Sequence, residues 1–438
     1  MRERRKQERG AFVFIFFSGR TSCCAPPALS LSPSLSSAAA AGLITPTAAW
    51  SHSSASAATA LAGSLAADGA ADVAAHTGEA GLAAILADPA TEAVLVVLPV
   101  QAMPGVVTRA LGAGKHVLQE KPVAPTVAEA TAVAAAAAAL AAAGGGAAAQ
   151  PLWCLAENYR SEPGVLAAAA AAAPASLGPA VLVSLVANMP MDAGNRYHGS
   201  AWRRDTATCP GGFLMDSTVH FLAALRAATG AGGAGWGEPV TASAVAYGAD
   251  GEDAAADGPG DGGAPAADAP PPLPSPDTLA GCLTFGNGRA ASLSITFAGS
   301  LPHLRLAVEG RRGAVALSRG GFPAPAAAGG EGKAPPPVSR GGGYDLATAT
   351  RTPGAGLATA HAFHPFAGLD RELAAFVRLV RGGRDAADAA ALSPAAAARD
   401  LAAIEALLAA AAAGGAPVPV SPLPANPWDA LEAAGGVP

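Results

Sequence analysis

The stretch 94–122, VLVVLPVQAMPGVVTRALGAGKHVLQEKP, constrains the fold of this 438-residue chain more than any other. Residues 94–98 are an unbroken apolar run, the pattern of a strand buried on both faces, and Pro99 ends it. Met103, Val106, Val107, Ala110 and Leu111 then recur at helical spacing, with Gly112 and Gly114 where a glycine cap stops a helix. A second strand over 116–118 runs into Glu120, Lys121 and Pro122. Strand, helix, strand requires a parallel crossover, and in an open parallel sheet ligands bind beyond the carboxyl ends of the strands. Pro99 and the Glu120-Lys121-Pro122 turn are therefore expected to face a site.

The flanking chain extends the pattern. Residues 43–50 read as a strand ending at Ser51-His52-Ser53, 55–67 as a helix, and 81–86 as a short helix ahead of the Val94 strand. Residues 126–143 form an Ala-rich helix in which Thr126 and Glu129 have capping-box spacing, and Gly144, Gly145 and Gly146 end it. The run 152–156 is a further strand, leading to Glu157-Asn158-Tyr159-Arg160. Beyond Pro179 the period changes. The runs 180–187, 240–247, 279–285, 290–297, 304–309 and 314–317 alternate in part, and Gly286-Asn287-Gly288-Arg289 is a hairpin signal, so an antiparallel sheet is expected. An amphipathic segment at 364–381 and an Ala/Leu-rich helix at 393–412 close the chain.

The sequence LPVQAMP…AL.AGKHVL.EKP.A, with AGKHV at 113–117 and EKP at 120–122, resembles the glucose–fructose oxidoreductase, inositol dehydrogenase and MocA family, a group of NAD(P)-dependent sugar and polyol dehydrogenases. The ENYR tetrapeptide at 157–160 and the pattern Gly211-Gly212…Asp216…His220 extend the resemblance over about 43–412. It implies an α/β fold: a Rossmann-type parallel-sheet domain over 42–149, then an α+β domain with a mainly antiparallel open-faced sheet over 150–412. Within the latter, 249–276 and 320–343 are inserts too rich in Gly, Pro and Asp to order themselves, and 413–438 is a tail.

The resemblance further implies a hydride transfer between a nicotinamide and a carbohydrate alcohol, with Lys121, Asp216 and His220 as catalytic residues. Ser51, His52, Ser53, Pro99, Glu120, Lys121 and Pro122 would hold the cofactor, and Tyr159, Arg160, Trp202 and Arg203 the substrate. Asp216 and His220, four residues apart, share a helix face, so they either bond to each other or face a substrate together. An imidazole, with an ordinary pKa of about 6.5, suits the proton transfer. Small hydroxyls and a histidine stand where an acid would favour NAD, so NADP is favoured over NAD. The alternative is a non-catalytic relative that senses a ligand or binds a partner. Survival of Lys121, Asp216 and His220 favours the enzyme.

The N-terminus departs from the family pattern. MRERRKQERG precedes an apolar run at 11–19, which reads either as a targeting leader or as the first strand of the sheet. The turn after that run, Ser18-Gly19-Arg20-Thr21-Ser22, carries no G-x-G-x-x-G, so within 1–41 the phosphate loop is missing, altered or lost to a miscalled exon. The net charge of −6, with Lys and Arg clustered only in the first nine residues, argues against nucleic acid as a partner. No apolar run reaches the roughly 18 residues of a membrane span without glycine, so no membrane is expected. Five cysteines without a C-x-x-C pair suggest neither disulfides nor zinc and fit a reducing, cytoplasmic compartment, organellar targeting by the leader staying open. His76, His303, His361 and His364 lack ligand spacing, so no metal is expected. The open sheet face suggests a homodimer.

Overall fold

The computed structural model describes residues 11–16, 43–67, 72–143, 150–192, 195, 197–248, 276–321, 342–352, 354 and 356–433. The expected phosphate loop at 18–22, the glycines Gly144–146 and nearly all of the inserts 249–276 and 320–343 lie outside them.

The first sheet is wholly parallel. β1 (Ala11–Phe16), β2 (Thr45–Ser51), β3 (Ala74–Thr77), β4 (Ala93–Val97), β5 (His116–Glu120) and β6 (Trp153–Ala156) lie in the order β3-β2-β1-β4-β5-β6, the doubly wound arrangement. Of the two readings of the N-terminal apolar run, the strand is realised: β1 pairs with β2 on one side and β4 on the other. β4 and β5 are adjacent and parallel, Val94 opposite Val117.

β4 is apolar throughout because both its faces are covered. Val94 and Val96 meet α2 (Gly78–Ala87), α3 (Met103–Gly112) and α4 (Val127–Ala143), whereas Leu95 and Val97 meet α1 (Ala55–Ala67). Thr126 and Glu129 pair as the spacing predicts, Thr126 Oγ accepting the Glu129 N–H at 3.2 Å and donating its own proton to the Glu129 carboxylate at 2.8 Å.

The second sheet contains β7 (Ala180–Asn188), β8 (Pro239–Tyr247), β9 (Thr278–Phe285), β10 (Ala290–Thr296), β11 (His303–Gly310), β12 (Gly313–Gly320), β13 (Gly343–Thr352), β14 (Gly356–Pro365) and β15 (Val418–Pro419). All neighbouring pairs are antiparallel except β7 with β10. One face, with Val183, Leu185, Leu293 and Leu306, packs on α5 (Pro163–Ala172), α6 (Gly212–Thr229) and α8 (Pro394–Ala412). The other carries exposed Leu182, Val186, Val245 and Tyr247.

Some elements escape the sequence reading. β3 is four residues without an apolar run, and β13 and β14 alternate Ala with Thr, a pattern with little hydropathy contrast. The segment expected as a tail carries β15 and α9 (Ala425–Ala433), whose Trp428 stacks on Trp153 at 6.1 Å. The amphipathic segment at 364–381 forms α7 (Gly368–Val380), which returns to the parallel sheet: Leu373, Phe376 and Leu379 pack with Leu95, Val97 and Leu118. A Cβ on Gly368 would stand 2.6 Å from the Asn158 carbonyl oxygen, so glycine lets α7 start against the end of β6. Among the described residues no helix is long and apolar enough to cross a membrane.

Candidate active site

Lys121 emerges from the carboxyl end of β5, and the residues before it fix where it points. The Gln119 amide is fully buried, donating to the Val123 carbonyl at 2.7 Å and accepting from Trp153 Nε1 at 2.9 Å, which braces the turn from inside. Lys121 Nζ then donates to the Asp216 carbonyl oxygen at 2.7 Å and to Asp216 Oδ1 at 3.2 Å. An ammonium has three protons. The third has no acceptor among the described residues, and the side chain is 13% exposed.

Asp216 comes from the first turns of α6. Gly211 and Gly212, at φ of 78° and 53°, let the chain enter that helix in left-handed conformation, and a Cβ on Gly212 would stand 2.8 Å from the Arg203 carbonyl oxygen. The double glycine thus allows the Trp202-Arg203 segment to lie against the helix start. Arg203 Nε donates to Asp216 Oδ2 at 2.7 Å while its guanidinium rests over the Trp202 ring at 4.1 Å and the Tyr197 ring at 4.9 Å. Burial pushes the Asp216 carboxyl up, but Arg203 and Lys121 outweigh it and hold it down at about 2.

His220 lies one turn later on α6, but it does not bond to Asp216, whose two oxygens are taken by Lys121 and Arg203. Its Nδ1 lies 2.7 Å from Oε1 of Glu157, at the carboxyl end of β6. The Tyr159 ring stacks on the imidazole at 5.0 Å. His220 Nε2 has no partner among the described residues, and the side chain is 23% exposed. Burial raises the Glu120 carboxyl next to Lys121 above its ordinary range, Lys121 and His220 opposing the rise.

The other expected site residues divide. Pro99 is buried at the end of β4, and the Lys121–Pro122 peptide is cis. Ser51, His52 and Ser53 end β2 at the same edge of the sheet; Ser51 is buried and accepts the Ser54 N–H at 3.2 Å, and the other two are exposed. Tyr159 is buried, its ring against Tyr344 at 6.3 Å, so what it offers the site is the face stacked on His220. Arg160 turns its guanidinium into an ion pair with buried Asp400 and so is not free to bind a substrate. Lys115 of the AGKHV run is structural, donating to the Asp88 and Thr91 carbonyls at 2.7 and 2.9 Å. Glu157 was missed, although it opens the ENYR tetrapeptide; a buried acid directly after an apolar strand was the available signal.

Comparison with known proteins agrees with the fold. Residues 34–143 match the oxidoreductase family, NAD-binding Rossmann fold, and residues 165–316 match the GFO/IDH/MocA C-terminal domain. The chain belongs to the GFO/IDH/MocA oxidoreductase family. A dehydrogenase of Fusarium mangiferae, FPY6, is 31% identical over 142 residues, which are 32% of this chain; the chain thus spans 38% of that relative. An oxidoreductase of Thermotoga maritima superposes with a TM-score of 0.63 at 21% identity, covering 94% of this chain and 98% of that one. Levoglucosan dehydrogenase in complex with NADH and L-sorbose gives 0.66 at 17% identity, covering 95% and 100%. At such identities these likenesses speak to the fold.

Proposed function

We propose that this chain is an NAD(P)-dependent dehydrogenase that moves a hydride between a nicotinamide and a carbinol carbon of a sugar, polyol or related alcohol. The observation that carries the reading is the pair Lys121 and His220, brought from different elements to the carboxyl edge of the parallel sheet, each with one hydrogen-bonding valence unfilled. A nicotinamide nucleotide, when bound, supplies the hydride acceptor. The free Lys121 proton donates to the substrate oxygen, and its charge stabilises the developing alkoxide. His220 Nε2 takes the hydroxyl proton. Asp216 holds the lysine in place, and Trp202 and Arg203 line the approach.

The end of β2 supports NADP over NAD, since His52 and Ser53 offer an imidazole and a hydroxyl, and none of the residues 51–53 offers an acid, to the ribose. Levoglucosan dehydrogenase, bound to NADH and L-sorbose, supports a carbohydrate substrate. The exposed Leu182, Val186, Val245 and Tyr247 support a homodimer through the open sheet face, and Val186→Glu with Val245→Glu should leave a monomer in sedimentation.

Fluorescence titration with NADPH and NADH, then assay of sugars and polyols for reduction of the oxidised nucleotides, tests the reading. Without a G-x-G-x-x-G the pyrophosphate loses charge-assisted bonds to backbone N–H groups, each worth roughly 1.5–3 kcal/mol, so binding weaker than low micromolar is expected. Nucleotide binding without turnover of any carbohydrate would favour the ligand-sensing relative instead.

A further inference from the structure

The Glu157 side chain is 2% exposed, and its Oε1 lies 2.7 Å from His220 Nδ1. A carboxylate is only an acceptor, so at that distance Nδ1 must carry the proton, which leaves the lone pair on Nε2, the nitrogen without a partner among the described residues. The stacked Tyr159 ring fixes the plane of the imidazole. We propose that Glu157 is the positioning residue of His220: it selects the Nδ1–H tautomer and keeps a fixed negative charge behind the ring, so that Nε2 is the base. This rests on the reading of His220 as the proton acceptor of the dehydrogenation.

The surrounding charges bear on where the negative charge resides. Glu120 and Lys121 face the pair from the end of β5, Tyr159 and Arg160 from the turn after β6, and Asp216 with Arg203 from the start of α6; Arg319 of β12 lies beyond Tyr159. Glu162, ahead of α5, and Glu372, on α7, complete the group. Burial raises Glu120, Glu162 and, most of all, Glu372, whose Oε2 is buried without a partner in the field of Glu120, Glu157 and Glu162. Burial also pushes Glu157 up, but His220, Arg160 and the Tyr159 backbone N–H outweigh it and hold it below its ordinary value. Of these four carboxyls, Glu157 is the one held below its ordinary value, and it is the one directly behind the imidazole.

In the oxidation the carbinol C–H pair leaves as hydride for the nicotinamide, the O–H pair becomes the second carbon–oxygen bond, and the hydroxyl proton goes to Nε2. Nδ1 keeps its proton, Glu157 stays a carboxylate facing the new imidazolium, and the Nε2 proton leaves through the exposed side of the ring.

Nuclear magnetic resonance of the full chain with ¹⁵N-labelled histidine, the His220 signals assigned by their loss in His220→Ala, tests the inference without turnover. The expected results are an Nδ1–H tautomer in the wild type and an apparent imidazole pKa lowered by about 1 unit or more in Glu157→Gln, since an adjacent opposite charge shifts a titration by about 1–3 units. Glu157→Asp should retain most of the wild-type value. An Nε2–H tautomer in the wild type, or equal titration in wild type and Glu157→Gln, would overturn the proposal; if Glu157→Gln does not fold, the wild-type tautomer decides. In an active preparation Glu157→Gln should lower kcat by about 10²-fold with KM little changed. Its acid limb should move to lower pH, because the unpaired imidazole is harder to protonate. Inactivity with the expected tautomer would instead count against the dehydrogenase reading.

Discussion

Helix α6 carries two ionic networks, each built on a buried carboxylate, and they are finished differently. Near its start Asp216 joins Lys121 and Arg203, with His220 and Glu157 one turn on, and both Lys121 and His220 end in an unfilled valence on the accessible side. Near its end Arg226 donates to both Glu238 oxygens at 2.8 and 2.7 Å, to the Ala396 carbonyl at 2.9 Å and to Asp400, whose other oxygen takes Arg160. There Asp400 is 1% exposed, and the Arg160 nitrogen that lacks a partner is sealed inside the protein. Burial of charge therefore does not by itself mark a site. What marks one is a buried charge with a valence that only a ligand can reach.

The contrast is broken most directly at Asp400. Asp400→Ala leaves Arg160 buried without its carboxylate, Arg226 keeping Glu238, and breaking a buried pair costs about 3–5 kcal/mol. Denaturant unfolding should register that loss; a change under about 1 kcal/mol would mean that water reaches the Asp400 carboxylate and the distinction fails. At the first network the expected effect is on rate. Lys121→Ala leaves Asp216 still held by Arg203, so it should unfold closer to wild type than Asp400→Ala does, while kcat falls by about 10²-fold or more. Near-normal turnover with nucleotide binding intact would remove Lys121 from the chemistry.

The same contrast explains what could be read in the sequence. The parallel half was legible because strands buried on both faces are written as unbroken apolar runs, and EKP sits at the end of one. Lys121, Asp216 and His220 were legible as motif positions. Their pairing was not: i, i+4 spacing left Asp216 free to bond His220, and the outcome depended on Arg203 and Glu157, both distant in sequence. Arg160 failed for a related reason. It adjoins the site in the chain, but its partner Asp400 arrives on α8, which no local pattern connects to ENYR. β13 and β14 were lost because Ala and Thr alternate with too little hydropathy contrast to signal a face.

The smallest effect sharpens the comparison through pH. Asp216 is buried and held at about 2, below the value of about 3.9 expected in the unfolded chain. A carboxyl with a depressed folded value stabilises the protein fully above its unfolded value and loses that contribution as pH falls through the folded one. A depression of nearly 2 units corresponds to about 2.5 kcal/mol, present above about pH 4 and mostly gone near pH 2. Asp216→Asn removes the titration but keeps the shape. The difference in unfolding free energy between wild type and Asp216→Asn should therefore be steady from pH 7 to about 4 and shrink toward pH 2, the wild type losing its advantage as Lys121 and Arg203 lose their anion. A difference that stays flat across that window would mean that Asp216 is held by packing and not by its two cations. The first network would then be no more electrostatic in its construction than any buried hydrogen bond, and its claim to orient Lys121 by charge would fall with it.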